Sequence, residues 1–376
     1  MITYEGLDQT KGKNMITALK LNNFRCFSQF EINNIKPITI ISGKNNVGKS
    51  SVLEALFFIY DHASGSPFLK MNRVRGEIAN KTIQNTWESV FYNMNTENPI
   101  YIEIEKSGEH HILTYEKERT SLLDFSRDNF NSVQTINLLS NISPYALKMK
   151  YRKGDYGEEA DYIFVSGAEQ SQLANDVVAR RNGQLTQIER LENLTYISNS
   201  NFKDDSQLAD LLSKLEIDNR KKELIDIIQM MDEEVSDISV LTSNGIFQIY
   251  VKKNGLSMPI RYNGDGMLKL IDIVLRILSS PNSVLLIDEI ENGLHYSMYE
   301  RLWTTIAKTA QKANCQVVVT THSYECIRAS MMGIEKAERA DDFCYIRLEK
   351  RNGLVVPCQY SHTEMKNAML AELEVR

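Results

Sequence analysis

The chain has little with which to brace itself covalently. Its five cysteines, Cys26, Cys315, Cys326, Cys344 and Cys358, are scattered over 376 residues without a C-x-x-C pair. Disulfide frameworks and zinc knuckles are therefore not expected, and buried thiols in a reducing cytosol are the natural reading. No stretch approaches the ~18 consecutive apolar residues of a membrane helix, and the N-terminus lacks the apolar core of a secretion signal. A cytoplasmic protein with no membrane partner is expected. A formal net charge of −6 removes any global basic field that would draw the chain onto nucleic acid. Heptads are not sustained over three or four repeats, which excludes a long coiled-coil arm. No internal repeat or low-complexity tract stands out.

What is present is alternation of strand-like and helix-like segments. Residues 1–14 read as a polar tail. Residues 15–60 carry two short strands, Ile16–Leu21 and Phe30–Ile32, ahead of an apolar strand and helix. Within 61–237, Ile100–Ile104 and His111–Tyr115 flank a Ser107-Gly-Glu109 turn as a hairpin. Tyr145–Tyr151 and Tyr162–Val165 read as further strands, Gln170–Asn193 as a polar helix, and Ser206–Glu234 as helices broken near Asn219. From residue 238 to 376, strands at Ile238–Leu241, Phe247–Val251 and Met258–Arg261 precede a helix over Met267–Leu278. Val284–Ile287 and Gln316–Thr321 are buried strands, with a helix over Tyr296–Ala310 between them. A hairpin around Arg351-Asn-Gly353 and a helix over Glu364–Leu373 follow. The expected fold class is α/β, a sheet whose two lobes are separated by an α+β insertion.

Ile38-Thr-Ile-Ile41 leads into Gly43, Lys44, Asn45, Asn46, Val47, Gly48, Lys49, Ser50 and Ser51, a full match to G-x-x-x-x-G-K-[ST] between a strand and a helix. The glycines let successive backbone N–H groups face a pyrophosphate, and the helix N-terminus adds its positive end. Lys49 supplies a mobile cation for the β- and γ-phosphates, and Ser50 a hydroxyl for Mg²⁺. Val284–Ile287 ends in Asp288-Glu289. On its own that pattern would also mark a strand meeting a polar loop. Downstream of a phosphate loop, Asp288 is expected to hold Mg²⁺ and Glu289 to act as general base on the attacking water. His322, at the end of the next buried strand, is expected to face the γ-phosphate. Asn263-Gly-Asp-Gly266 opens a helix, and it reads equally as an anion site or as simple N-capping by Asp265.

In chain order, Asn23-Phe-Arg-Cys-Phe27, the phosphate loop, Asn263–Gly266, Leu285-Leu-Ile-Asp-Glu-Ile-Glu-Asn-Gly-Leu-His295 and Thr320-Thr-His-Ser323 resemble the ABC-type ATPase heads of the RecF and structural-maintenance-of-chromosomes (SMC) group. The likeness is greatest to the ATPases of overcoming-lysogenization-defect (OLD) proteins and their stand-alone bacterial relatives. It covers Met15–Tyr60 and the chain from Ile238 onward. The resemblance implies an ATPase head with a mixed sheet, a P-loop core and an antiparallel β-subdomain. It implies ATP and Mg²⁺ as cofactors, Gly43–Ser51 as Walker A, Asp288 and Glu289 as Walker B, His322 as the switch histidine, and Glu291–His295 as the D-loop. It makes Asn263, Gly264, Asp265 and Gly266 the signature turn, which in this family touches the γ-phosphate bound by a second subunit. ATP would then join two heads in a homodimer or larger oligomer. Arg25 resembles a family arginine near the nucleotide, although an exposed turn arginine fits its setting as well. Asn263 replaces the family serine, no Q-loop glutamine can be placed, and no acidic TOPRIM nuclease segment follows His322.

The resemblance thus implies a slow ATPase that senses or regulates a separately encoded effector, a nuclease or toxin, in bacterial antiphage defence. A RecF-like clamp on duplex DNA is the alternative, and a nucleotide-gated scaffold a third reading. Lys148-Met-Lys-Tyr-Arg-Lys153, Arg180-Arg181 and Arg220-Lys-Lys222 read first as solvated faces, with Tyr151 allowing nucleic-acid stacking in the first.

Overall fold

The computed structural model describes residues 15–62, 67–75, 85–119, 142–154, 156–166, 175–181, 191, 193–198, 205–243 and 246–371. The tail 1–14 and most of the span 167–193 lie outside the described residues.

A six-stranded sheet forms the centre. It contains β3 (Ile38–Gly43), β9 (Leu194–Ile197), β13 (Val284–Ile287), β14 (Gln316–Thr320), β15 (Phe343–Arg351) and β16 (Leu354–Ser361), in the order β16-β15-β3-β14-β13-β9. All pairs are parallel except β15 with β16. Parallel strands covered on both faces need apolar side chains on both, which is why Val284–Ile287 reads as an unbroken apolar run. Alternation sends Ile38, Ile40, Leu285, Ile287, Val317 and Val319 into one core, and Ile41, Val284, Leu286 and Val318 into another. The first core is closed by α5 (Asp265–Ser279), α6 (Tyr299–Ala313) and α7 (Tyr324–Lys336), with Leu270, Leu275, Trp303 and Ile327 fully buried. The second is closed by α1 (Lys49–Tyr60), α2 (Pro67–Val74) and one face of a second sheet.

That second sheet has seven strands: β1 (Ile16–Phe24), β2 (Phe27–Asn33), β4 (Ile100–Lys106), β5 (Glu109–Arg119), β6 (Ile142–Lys153), β7 (Tyr156–Ser166) and β8 (Asn175–Arg181). Their order is β2-β1-β4-β5-β6-β7-β8, antiparallel throughout. The segment 61–237 therefore supplies strands to both sheets, five to this one and β9 to the central one. After β9 come the short α3 (Asp205–Ile217) and α4 (Lys221–Gln229), broken at Asn219 in a left-handed turn. A third sheet, β10 (Val235–Ser243), β11 (Ile246–Lys253) and β12 (Leu256–Pro259), leads into α5, and α8 (His362–Leu370) ends the described chain.

Four expectations change. Residues 175–181, within the expected helix Gln170–Asn193, form strand β8, paired to β7. The strand expected over Met258–Arg261 stops at Pro259 and tightens into a 3₁₀ turn over Ile260–Asn263. The helix expected from Tyr296 begins with a separate 3₁₀ turn, Tyr296–Met298, before α6. Tyr151 is no stacking platform. It is 1% exposed, lies face to face with His62, and its hydroxyl is 2.7 Å from Nδ1 of His111.

The crossing of α7 over α6 depends on Gly333. A Cβ there would lie 2.6 Å from the Glu300 carbonyl oxygen and 2.9 Å from the Thr304 amide nitrogen, both backbone atoms that cannot swing aside. Gly333→Ala is expected to cost about 1–3 kcal/mol through overpacking, read as a lower urea midpoint at unchanged m-value. An unaltered midpoint would show that the helices can part freely.

Candidate functional site

The parallel register brings three strand ends together. Ile41 of β3 pairs with Thr320 of β14, and Val319 with Ile287 of β13. The Walker A loop, Asp288-Glu289 and Thr320–His322 consequently emerge side by side at the carboxyl edge, where open α/β sheets bind ligands.

The loop is held by close approach at both glycines. Gly43 has φ 137°, and a Cβ on it would lie 2.5 Å from the Leu348 carbonyl oxygen. Gly48 has φ 105°, and a Cβ there would meet Cys26 Sγ at 2.5 Å and Phe27 at 2.8 Å. Both positions require glycine on conformational and steric grounds. Gly48 caps α1, whose first turn carries no acidic side chain. Nothing there opposes an anion at the helix's positive end. Lys49 is buried and folds over the loop, its Nζ donating to the carbonyls of Gly43 (2.9 Å) and Lys44 (3.1 Å). Burial lowers its pKa, while the charges of Glu289, Glu291 and Asp288 pull it back up. The ammonium thus stands within the field of all three acids. Beside the loop, Lys44–Val47 and Arg347–Lys350 enclose a cavity of about 530 Å³.

Asp288 Oδ1 accepts from Ser50 Oγ (3.0 Å) and from Thr320 Oγ1 (2.5 Å). Burial raises its pKa against those two hydrogen bonds. A hydroxyl and a carboxylate at this separation are the hard oxygen donors that a small divalent cation shares with phosphates, so this pair fits Mg²⁺. Thr320 Oγ1 also accepts from the Glu289 N–H (2.8 Å), fixing the next residue. Glu289 has φ 50°, and its carboxylate accepts from Asn292 Nδ2 (2.5 Å). A glutamate in the left-handed region is a sparsely populated conformation of the kind stored at functional sites.

His322 is oriented by a residue that sequence reasoning placed only in the D-loop. Glu291 Oε1 lies 2.8 Å from His322 Nδ1 and accepts the His322 backbone N–H at 2.7 Å. The Glu291 side chain is 6% exposed and that of His322 is 49% exposed, so the carboxylate is the fixed partner. With Nδ1 engaged, Nε2 is left as the outward-facing nitrogen. Thr320 and the lysine Lys269, which donates to the carbonyls of Glu289 (3.2 Å) and Asn292 (2.7 Å), were likewise missed.

Two family profiles match the chain: an AAA ATPase domain over residues 15–170, and an "AAA domain, putative AbiEii toxin, Type IV TA system" over residues 177–328. An ATP/GTP phosphatase of Helicobacter pylori is 26% identical over 387 residues, covering 92% of this chain and 95% of its own. The two profiles and this relative mark the chain as an ATPase, and its fold is that of SMC heads. An SMC head crystallised with the C-terminal winged-helix domain of ScpA overlays on it with TM-score 0.50 at 14% identity, covering 94% of this chain and 99% of that one. The DNA replication and repair protein RecF of Acholeplasma laidlawii matches over 44 residues at 46% identity, 12% of this chain and 13% of its own.

Two expected residues or groups stand elsewhere in this ATPase. Asn263 closes the 3₁₀ turn, Gly264 is the N-cap of α5, and Gly266 faces Met298 and Leu294. Asp265 is thus inside the helix rather than its cap. Arg25 is not an exposed turn residue. It has φ 53°, its side chain is 6% exposed, and Nε binds Glu54 Oε2 at 2.8 Å. The other Glu54 oxygen accepts from Arg75 Nε at 2.6 Å. Glu54 lies one turn into α1, so this buried clamp ties the β1–β2 turn to the helix behind the loop. Glu54→Ala removes the carboxylate that both guanidinium groups share, while Arg25 keeps the Ser89 carbonyl, and is expected to cost about 1.5–3 kcal/mol, measured by urea denaturation. A loss below 1 kcal/mol would rule out the clamp as a support of the loop.

Proposed function

We propose that this ATPase works as an ATP-gated assembly whose state controls a separate effector, a nuclease or toxin, in bacterial antiphage defence. The observation that carries the assembly reading is the division of the site. Lys49, Ser50, Asp288, Glu289 and His322 gather at one sheet edge, whereas the turn Asn263–Gly266 packs beside Leu294 and Met298. Its exposed flank includes Tyr262 and Tyr296, 80% and 67% exposed. In this reading the turn meets the phosphates bound by a second head. Support for the effector comes from the toxin–antitoxin description of the profile matched over residues 177–328.

The proposed chemistry is phosphoryl transfer to water. The backbone N–H groups of Asn45–Ser51 and the Lys49 ammonium bind the phosphates, the lysine leaving its two carbonyl partners to do so. Ser50 and Asp288 would hold Mg²⁺, which would supply positive charge to the phosphates. Glu289 accepts a proton from the attacking water, and His322 donates from Nε2 to the γ-phosphate. The acids lie on the β14 side of β3 and the cavity on its β15 side. A γ-phosphate at the acids therefore leaves the nucleoside over Arg347–Lys350.

Glu289→Gln is expected to lower turnover at least 100-fold while retaining ATP, and to trap the assembled form in size-exclusion chromatography with Mg²⁺-ATP. Lys49→Ala is expected to lose both binding and assembly. Turnover that survives Glu289→Gln would exclude Glu289 as the base. Phage plating on cells carrying the ATPase with and without its neighbouring gene tests the defence role, and equal plating in both would count against it.

The RecF-like reading loses ground on β6. Lys148, Lys150 and Lys153 each reach a glutamate across the strand pair, Glu118, Glu116 and Glu109. Arg220 and Lys221 likewise face Glu223, Glu216 and Asp237. This ladder cancels the field that phosphate contacts require. Replacing Lys148, Lys150, Arg152 and Lys153 by alanine is expected to leave duplex-DNA retention at low salt unchanged. A salt-dependent affinity abolished by that change would restore the clamp.

A further inference from the structure

One buried cation remains unused by the chemistry above. Lys269 sits on the first turns of α5, the helix that begins at the Asn263–Gly266 turn, and is 2% exposed. Burying an ammonium is costly unless it is fully engaged. Its Nζ donates to the carbonyl oxygens of Glu289 (3.2 Å) and Asn292 (2.7 Å), the two ends of the turn that carries the general base. The titratable groups facing it come from three elements. They are Glu289 and Glu291 after β13, Asp272 on α5 itself, and the Cys326 thiol on α7, which burial keeps protonated and neutral. Asp272 is largely neutralised by Arg276, 2.5 Å away. Glu291 holds His322 through Oε1, and its buried Oε2 has no hydrogen-bond partner. Burial pushes Lys269 down to about 8, and Glu291 is the largest influence raising it.

We infer that Lys269 is a positioning residue that transmits the placement of the Asn263–Gly266 turn to Glu289 and His322, so that the general base is held in line only when α5 is seated. The left-handed Glu289 cannot keep its carboxylate in place through local preference alone. Its N–H is fixed by Thr320 and its side chain by Asn292, and Lys269 closes the turn by binding both end carbonyls. A rigid helix carries a shift at its N-terminus directly to the residue one turn along. The β14 contact anchors the turn within its own sheet, whereas Lys269 ties it by hydrogen bonds to the helix bearing the signature residues.

The inference rests on the reading of Glu289 as base, and the two can fail separately. In Lys269→Gln, kcat should fall about 10- to 100-fold, as for a lost charge-assisted hydrogen bond, with the Kd for Mg²⁺-ATP changed less than threefold. Placed in the Glu289→Gln background, Lys269→Gln should add no further loss, because both act on one step. An unchanged kcat, parallel loss of kcat and ATP affinity, or an additive double variant would each overturn the inference. Lys269→Arg keeps the charge but displaces the donors, and covers the case in which the glutamine variant does not fold. It should also lower kcat without altering Kd, and wild-type kcat in it would mean that charge alone matters. If Glu289→Gln itself leaves kcat intact, the base assignment fails rather than the coupling.

Discussion

The register of three parallel strands governs this molecule. Asp288 stands beside Ser50 because β13 and β3 both pair with β14, with Val319 opposite Ile287 and Thr320 opposite Ile41. Strand periodicity makes that constraint unforgiving, since a slip of one residue would turn Asp288 and Thr320 to the other face. The Thr320 hydroxyl makes the register chemical. It donates to Asp288 and accepts from the Glu289 backbone, so one side chain spaces the two carboxylates. Apolar packing on both faces enforces the pairing, and the polar edge inherits its precision from the core.

Charge is arranged around that edge with equal economy. Asp288, Glu289 and Glu291 face two buried lysines, Lys49 from the loop and Lys269 from α5. Lys49 is bound to loop carbonyls that an anion can displace, whereas Lys269 is bound to the carbonyls at both ends of the Glu289–Asn292 turn. Two lysines of similar burial therefore differ in consequence: one is free to move toward phosphate, the other fixes geometry. Glu54 plays the complementary part behind the loop, one buried carboxylate shared by Arg25 and Arg75.

Much of the site was legible because its residues lie in short contiguous motifs. Gly43–Ser51 and Asp288-Glu289 follow apolar runs whose buried character shows in sequence, and His322 ends another. Their partners were not legible. Glu291 looked like any D-loop acid, Thr320 like the end of a β-branched strand, and Lys269 like a polar position on an amphipathic helix. Their roles come from pairings across 20 to 31 residues that only the sheet creates. The fold divides in the same way. Hairpins with local turns, such as β4–β5 around Gly108, could be read directly. Strand β8, Asn175-Asp-Val-Val-Ala-Arg-Arg181, has no clean alternation and owes its state to the edge of β7. Strand β9 is only four residues long and is recruited by β13. Tertiary pairing overrides weak local preference in both.

The joining of residues 61–237 to both sheets bears on how a signal could pass. A pendant insertion could move without disturbing the nucleotide loop. Here β4 pairs with β1, β1 runs through the turn that presses Cys26 and Phe27 against Gly48, and β9 brings Tyr196 to within 3.5 Å of Asp288. A displacement of the seven-stranded sheet therefore reaches the loop through Gly48, and one of β9 in the central sheet reaches Asp288 through Tyr196. The same rigidity works in reverse, because the energy of seating phosphates at Gly48 is felt by the strand that β4 pairs with. The proposed assembly would need such a two-way connection to report nucleotide state, and the strands shared between residues 61–237 and both sheets are the contiguous path for it.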